Sequence, residues 1–298
     1  MTTNPFGRVL TAMVTPMGPD GAVDGAGLDA VVEHLLSTGH DGLLVNGTTG
    51  EASTLSDEES IGAVARVVAQ VAGRASVLAG VGSNDTAHAV AMARRAAEVG
   101  ADSLLLVSPY YNKPTQAGLV AHCHAVADAT DLPVMLYDIP GRTATPFGVD
   151  TLVALAEHPR IVAVKDAKGD LAASTAVMAR TDLLWFSGED ALNLPLLAIG
   201  AVGVVSVVGH VAGAQYRAMV EAVDRGDLDE ARRLHRGLVP VVDALMTTSQ
   251  GAIMAKAALV ELGVIEHASV RLPLVESPPE HLELLRAALA TLPTPKDA

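Results

Sequence analysis

The chain has 298 residues, half of them hydrophobic and 18% charged, and a net charge of −14. This balance supplies a large core and excludes a disordered chain, while the acidity argues against nucleic-acid or anionic-membrane partners. A single cysteine, Cys123, excludes an internal disulfide and a multi-thiolate metal site. With no signal-like start and no apolar run of ~20 residues, the expected location is cytoplasmic.

In chain order, a strand is predicted at 8–15, a helix at 23–37, a strand at 42–46 and a helix at 57–71. A strand at 76–80, a helix at 86–99, a strand at 103–107 and a helix at 116–130 follow. Then come a strand at 133–137, a helix at 146–157 and strands at 161–165, 183–187 and 203–208. The strand runs are almost continuously apolar, the mark of strands buried on both faces of a parallel sheet. The helical segments carry Ala, Leu and Val at a spacing of three to four, with Ser56 and Asp85 as caps and Gly39 and Gly100 as stops. Helices are predicted at 214–224, 228–245, 251–262 and 279–292, and a frayed tail at 292–298. Eight strand-helix repeats make the expected fold a (β/α)8 TIM barrel over residues 1–228, with a C-terminal helical extension over 229–298 that serves assembly. An open doubly wound sheet is disfavoured because no G-x-G-x-x-G turn follows the first strand.

A barrel of this kind places its chemistry at the C-terminal ends of its strands. Three of the four tyrosines, one of the five lysines and an arginine after a Pro-Gly turn fall there. Lys165 ends the run Ile161-Val162-Ala163-Val164. At an apolar lip its amine is either desolvated into a nucleophile for a ketone or aldehyde, or paired with a rim carboxylate such as Asp166. Tyr137 ends the preceding strand, where its phenol either moves protons for an imine or is a satisfied core hydroxyl. Gly47-Thr48-Thr49-Gly50-Glu51 is a turn whose N–H groups suit a carboxylate or phosphate, or a plain strand-to-helix connection. It lacks the Gly-Lys-Ser/Thr of a P-loop. Arg142 is set to grip a carboxylate, or is simply solvated.

Competing chemistries find less support. His122-Cys123-His124 lies in a helical segment, where alternate residues point apart, so it reads as core and surface rather than a metal site. There is no G-x-S-x-G, and Cys123 is not at a strand end. Ser187-Gly188-Glu189-Asp190 reads as a turn and helix N-cap.

Together with Pro109-Tyr110-Tyr111-Asn112-Lys113-Pro114, Tyr137-Asp138-Ile139-Pro140-Gly141-Arg142-Thr143 and Gly203-Val204-Val205-Ser206-Val207, these segments resemble the 4-hydroxy-tetrahydrodipicolinate synthase family. That family belongs to the class I pyruvate-dependent aldolases, as does N-acetylneuraminate lyase. The resemblance covers nearly the whole chain. It implies that Lys165 forms an imine with pyruvate, and that Tyr137, Thr48 and Tyr111 form a proton relay, Tyr111 reaching in from a neighbouring subunit. It further implies that Thr48 and Thr49 hold the pyruvate carboxylate and that Arg142 holds that of L-aspartate 4-semialdehyde. The carbonyl of Val205 is implied to lie near the site. The implied assembly is a homotetramer of two tight dimers, and no metal or organic cofactor is called for.

Several positions depart from the family pattern. Asp138 stands where many members carry Asn, Lys113 where many carry Arg, and Glu189 where many carry Asp. In lysine-sensitive members the inhibitor cleft uses a His and a Glu. The matching positions are Asp57 and His88, with Asn84 and Tyr110 retained, so lysine inhibition is expected to be weak or absent. A sugar-acid aldolase is the alternative enzyme, against which Arg142 and the second threonine count. A catalytically silent metabolite-binding barrel is the alternative of another class, against which the presence of Lys165, Tyr137, Thr48 and Tyr111 counts.

Overall fold

Eight short strands run parallel and close on themselves: β1 (Val9–Ala12), β2 (Gly42–Val45), β3 (Ser76–Gly80), β4 (Ser103–Val107), β5 (Val134–Asp138), β6 (Ile161–Asp166), β7 (Leu184–Ser187) and β8 (Gly203–Ser206). Each pairs with its neighbour in sequence, and β8 returns to pair with β1. This computed structural model describes residues 4–295.

The apolar runs form strands because both faces are buried. Alternate residues turn inward, so that Leu10, Leu44, Leu78, Leu105, Met135, Ala163, Phe186 and Val205 fill the barrel. Phe6, ahead of β1, joins this inner core and meets Phe186 edge-on with ring centroids 5.9 Å apart. The intervening positions, among them Leu43, Val77, Leu104, Leu136 and Val164, pack against the helices. Each large side chain fully buried in this way contributes roughly 1.5–3 kcal/mol.

The helix signals act as read. Ser56 and Glu59 make a reciprocal capping box at the start of Asp57–Val71, and Asp85 accepts from the Ala87 N–H ahead of Thr86–Glu98. Helices at Leu171–Met178 and Asn193–Ile199 follow β6 and β7, as eight strand-helix repeats require, although the sequence gives no bounds for either. The helix expected from residue 146 starts only at Val149, because the Phe147 N–H turns back to the Asp138 carboxylate. The last barrel helix begins at Gly209, not 214, with a non-helical break at Ala212.

Helices Leu228–Met246, Gly251–Glu261 and Pro279–Leu289 make up the C-terminal part. Their apolar faces, including Leu234, Leu238, Met254 and Leu285, continue the core between barrel and helices. The tail expected to fray is held at residues 293 and 294, whose carbonyls accept from Gln215 and Arg233; residues 296–298 lie outside the described residues. No single described helix is long and apolar enough to cross a membrane.

Candidate active site

The register between β5 and β6 decides which way Lys165 faces. It slips by one residue at Val162, so that Ala163 pairs with Met135 and Lys165 with Tyr137. Lys165 thereby joins the inward-facing set. Its side chain is only 4% exposed, and its Nζ stands 4.2 Å from the centre of the Tyr137 ring. No carboxylate lies within ion-pair distance of it among the described residues. Burial lowers its pKa to about 8; Arg142 pushes the same way, while Asp190 and Glu189 oppose. Burial also raises the Tyr137 phenol, which therefore stays protonated at neutral pH.

Tyr137 lines a cavity of about 300 Å³ at the C-terminal mouth of the barrel, together with Thr48, Val107, Ile139, Arg142 and Tyr110. Thr48 is exposed to it, whereas Thr49 is buried. The turn is closed by Gly50 N–H to Gly47 O at 3.1 Å and Glu51 N–H to Thr48 O at 3.1 Å. The N–H groups of Thr48 and Thr49 make no hydrogen bond to other described residues, which leaves them as donors for an anion. Arg142 sits in the one-turn helix Pro140–Thr143 and is exposed, with no carboxylate partner among the described residues.

The remaining expected residues divide. Tyr110 and His88 line the outer part of the same cavity, and Asn84 lies beside it, its carbonyl accepting from Asn112 at 2.9 Å. His88 meets Asp57 at 2.9 Å. Val205 is buried at the end of the inner core, in register with Leu10. Tyr111 is 87% exposed and does not line its own chain's cavity; its backbone is left-handed, with φ 73°.

The sequence pattern of the Dihydrodipicolinate synthetase family matches residues 5–292. The chain belongs to this family. It is 55% identical over 297 residues to 4-hydroxy-tetrahydrodipicolinate synthase from Kineococcus radiotolerans, covering 99% of this chain and 96% of that protein. Among solved structures it is similar to dihydrodipicolinate synthase from Bacillus anthracis, with a TM-score of 0.94 and 41% identity over 97% of this chain and 99% of the other. The chloride-inhibited dihydrodipicolinate synthase from Acinetobacter baumannii, solved with pyruvate, gives a TM-score of 0.92 at 37% identity, covering 96% and 99%.

Within this family barrel two residues matter that sequence reading undervalued. Asp190, expected in a turn and N-cap, caps no helix with its side chain. Its buried carboxylate accepts from the Ser206 hydroxyl and from the N–H groups of Val207 and Val208 at 3.0 and 3.1 Å. These bonds end β8 at Ser206 instead of 208 and hold the backbone next to Val205. Gly188 lies against Lys165: a Cβ there would stand 2.7 Å from Lys165 Cγ and 2.9 Å from Cε. Only the spacing of both residues from the end of β7 hinted at these contacts.

The histidines near the barrel are structural. His210 donates from Nδ1 to the Val207 carbonyl at 2.7 Å and accepts the Val14 N–H at Nε2, and burial lowers its pKa to about 3. Cys123 is buried in helix Gln116–Ala127, which pushes its thiol up to about 12. No group of three or more His, Cys, Asp or Glu side chains is placed to share a metal among the described residues.

Proposed function

We propose that this chain condenses pyruvate with L-aspartate 4-semialdehyde to give 4-hydroxy-tetrahydrodipicolinate, the first committed step of diaminopimelate and lysine biosynthesis. The observation that carries this reading is Lys165: a buried, unpaired amine with its pKa lowered to about 8, set against a protonated tyrosine at the cavity. An amine in that state is a nucleophile near neutral pH.

The neutral Lys165 amine adds to the ketone carbon of pyruvate. Tyr137 gives its phenolic proton to the carbinolamine oxygen, which leaves as water, and recovers a proton through Thr48 and Tyr111 of a neighbouring subunit. The resulting iminium withdraws electrons, the methyl group loses a proton to the Tyr137 relay, and the enamine carbon attacks the semialdehyde carbonyl, whose oxygen draws a proton from the same relay. The product's own amine then adds to the imine carbon, releasing Lys165 and closing the ring. Thr48 and Thr49 offer free N–H groups to the pyruvate carboxylate, and Arg142 offers its guanidinium to that of the semialdehyde.

A tyrosine that lies outside its own chain's cavity supports a relay completed by a second copy. The same reading makes the assembly a homotetramer of two tight dimers, which sedimentation at low protein concentration tests directly.

Incubation with pyruvate and borohydride, followed by peptide mass analysis, tests the imine. The expected result is one reduced adduct on Lys165; its absence, or an adduct elsewhere, overturns the mechanism. Turnover is then compared between the semialdehyde and N-acetylneuraminate or 2-keto-3-deoxy sugar acids, and only the first is expected to react efficiently. A Tyr111→Phe variant running at full rate would remove Tyr111 from the relay.

A further inference from the structure

A second buried lysine among the described residues, besides Lys165, is Lys256, which is 0% exposed. It lies on helix Gly251–Glu261, whose first nine residues are all buried. Its Nζ forms an ion pair with Glu51 Oε1 and donates to the Ser269 carbonyl at 2.7 Å. The other Glu51 oxygen accepts the Arg271 N–H at 2.9 Å. Both oxygens of one carboxylate at the barrel mouth are thus held by the C-terminal part of the chain.

A buried ion pair brings no dependable gain in stability over apolar side chains of similar volume. Its placement here points to a different role. Glu51 ends the turn that carries Thr48 and Thr49, and its own N–H closes that turn on the Thr48 carbonyl at 3.1 Å. The turn is flanked by two non-glycine residues in left-handed backbone, Asn46 at φ 57° and Glu51 at φ 55°. Such conformations persist where surrounding contacts hold them. Arg271 adds a second hold, donating to the Thr54 carbonyl at 2.7 Å and the Gly21 carbonyl at 2.9 Å while pairing with Glu59.

We propose that Glu51 and Lys256 are positioning residues: their buried pair fixes the turn that presents Thr48 and Thr49, so that the C-terminal helices set the affinity for the keto-acid carboxylate. This rests on the pyruvate reading above. Arg142, the proposed anchor of the second substrate, lies on a different loop, so the effect is confined to one substrate.

The test uses the full chain, its Lys256→Met variant and the double variant Glu51→Gln with Lys256→Met. The pyruvate concentration that half-saturates borohydride trapping is measured, along with KM for each substrate and the melting temperature. In Lys256→Met, half-saturation by pyruvate is expected to rise about 10-fold or more, with KM for the semialdehyde changed less than about 2-fold. The double variant removes the unpaired buried charge, so its melting temperature is expected to recover while pyruvate half-saturation stays raised. If Lys256→Met is not recovered folded, the double variant carries the test alone. Parental pyruvate half-saturation in the double variant, or equal losses for both substrates, overturns the proposal. Failure of the unaltered protein to trap pyruvate overturns the functional reading instead.

Discussion

Lys165 and Tyr137 occupy paired positions on adjacent parallel strands, and the lysine nitrogen stands 4.2 Å from the centre of the tyrosine ring. The pair is buried, and burial is the main cause of the lowered lysine pKa, about 8. The reactive form is the free amine, so imine formation is expected to rise with pH through an apparent pKa near 8 and then level off. Arg142 also lowers this pKa, so Arg142→Ala is expected to move the midpoint upward. Rates of pyruvate trapping between pH 6 and 10 check both shifts. A flat profile would remove Lys165 as the titrating nucleophile.

The same burial carries a stability cost. The Lys165 pKa is about 8 in the folded protein, against 10.5 for a freely solvated lysine. Below pH 8 both states are protonated, and the folded state alone holds the charge out of water. Stability therefore rises as pH goes from about 8 to about 10.5. Lys165→Met is expected to abolish activity and to stabilise the fold at pH 7 by on the order of 2–3 kcal/mol, with the advantage shrinking toward pH 10. Denaturant unfolding at pH 7 and pH 10 measures it.

The barrel strands were legible because burial on both faces leaves continuous apolar runs; at their ends Lys165 stands against Tyr137, and Tyr137, Thr48 and Arg142 line one cavity. The helices at Leu171–Met178 and Asn193–Ile199 were not legible, being eight and seven residues long and too short for a clear helical period. The end of β8 was also hidden. Val207 and Val208 read as strand, and only the approach of Asp190, 17 and 18 residues away, takes their N–H groups out of the ladder. Glu51 and Lys256 lie 205 residues apart, so no local pattern marks their pairing. Whether Tyr111 faces another subunit depends on contacts between chains, which local periodicity does not encode.

Asp138 makes a second pH-dependent prediction. It is register-paired with Asp166, faces away from the barrel interior, and accepts the Phe147 N–H at 3.3 Å. Burial raises its pKa to about 7, from 3.8 for a freely solvated aspartate. The folded state therefore binds more protons between these values, and the stability it contributes is full below about pH 4 and falls as pH rises through 7. Asn at this position keeps an acceptor for Phe147 and cannot ionise. Asp138→Asn is expected to be more stable than the parent at pH 8, by on the order of 2–4 kcal/mol, and nearly equal to it at pH 4. Paired denaturant curves at the two pH values decide this; an equal difference at both would assign the effect to packing.

The outer cavity bears on feedback by lysine. A bound lysine presents two ammonium groups, which need unpaired acceptors to repay their loss of water. Asp57 is the acidic side chain paired with His88, and it is already engaged: His88 lies 2.9 Å from one oxygen, and Arg95 lies 3.9 Å from the other. Glu58, the adjacent carboxylate, pairs with Arg95 at 3.2 Å. An incoming ammonium therefore meets carboxylates whose oxygens already face His88 and Arg95. Lysine at about 1 mM, a concentration that reports any binding tighter than roughly −4 kcal/mol, is expected to leave the rate unchanged. Isothermal titration with L-lysine is the direct measurement. A saturable heat with micromolar affinity would overturn this expectation.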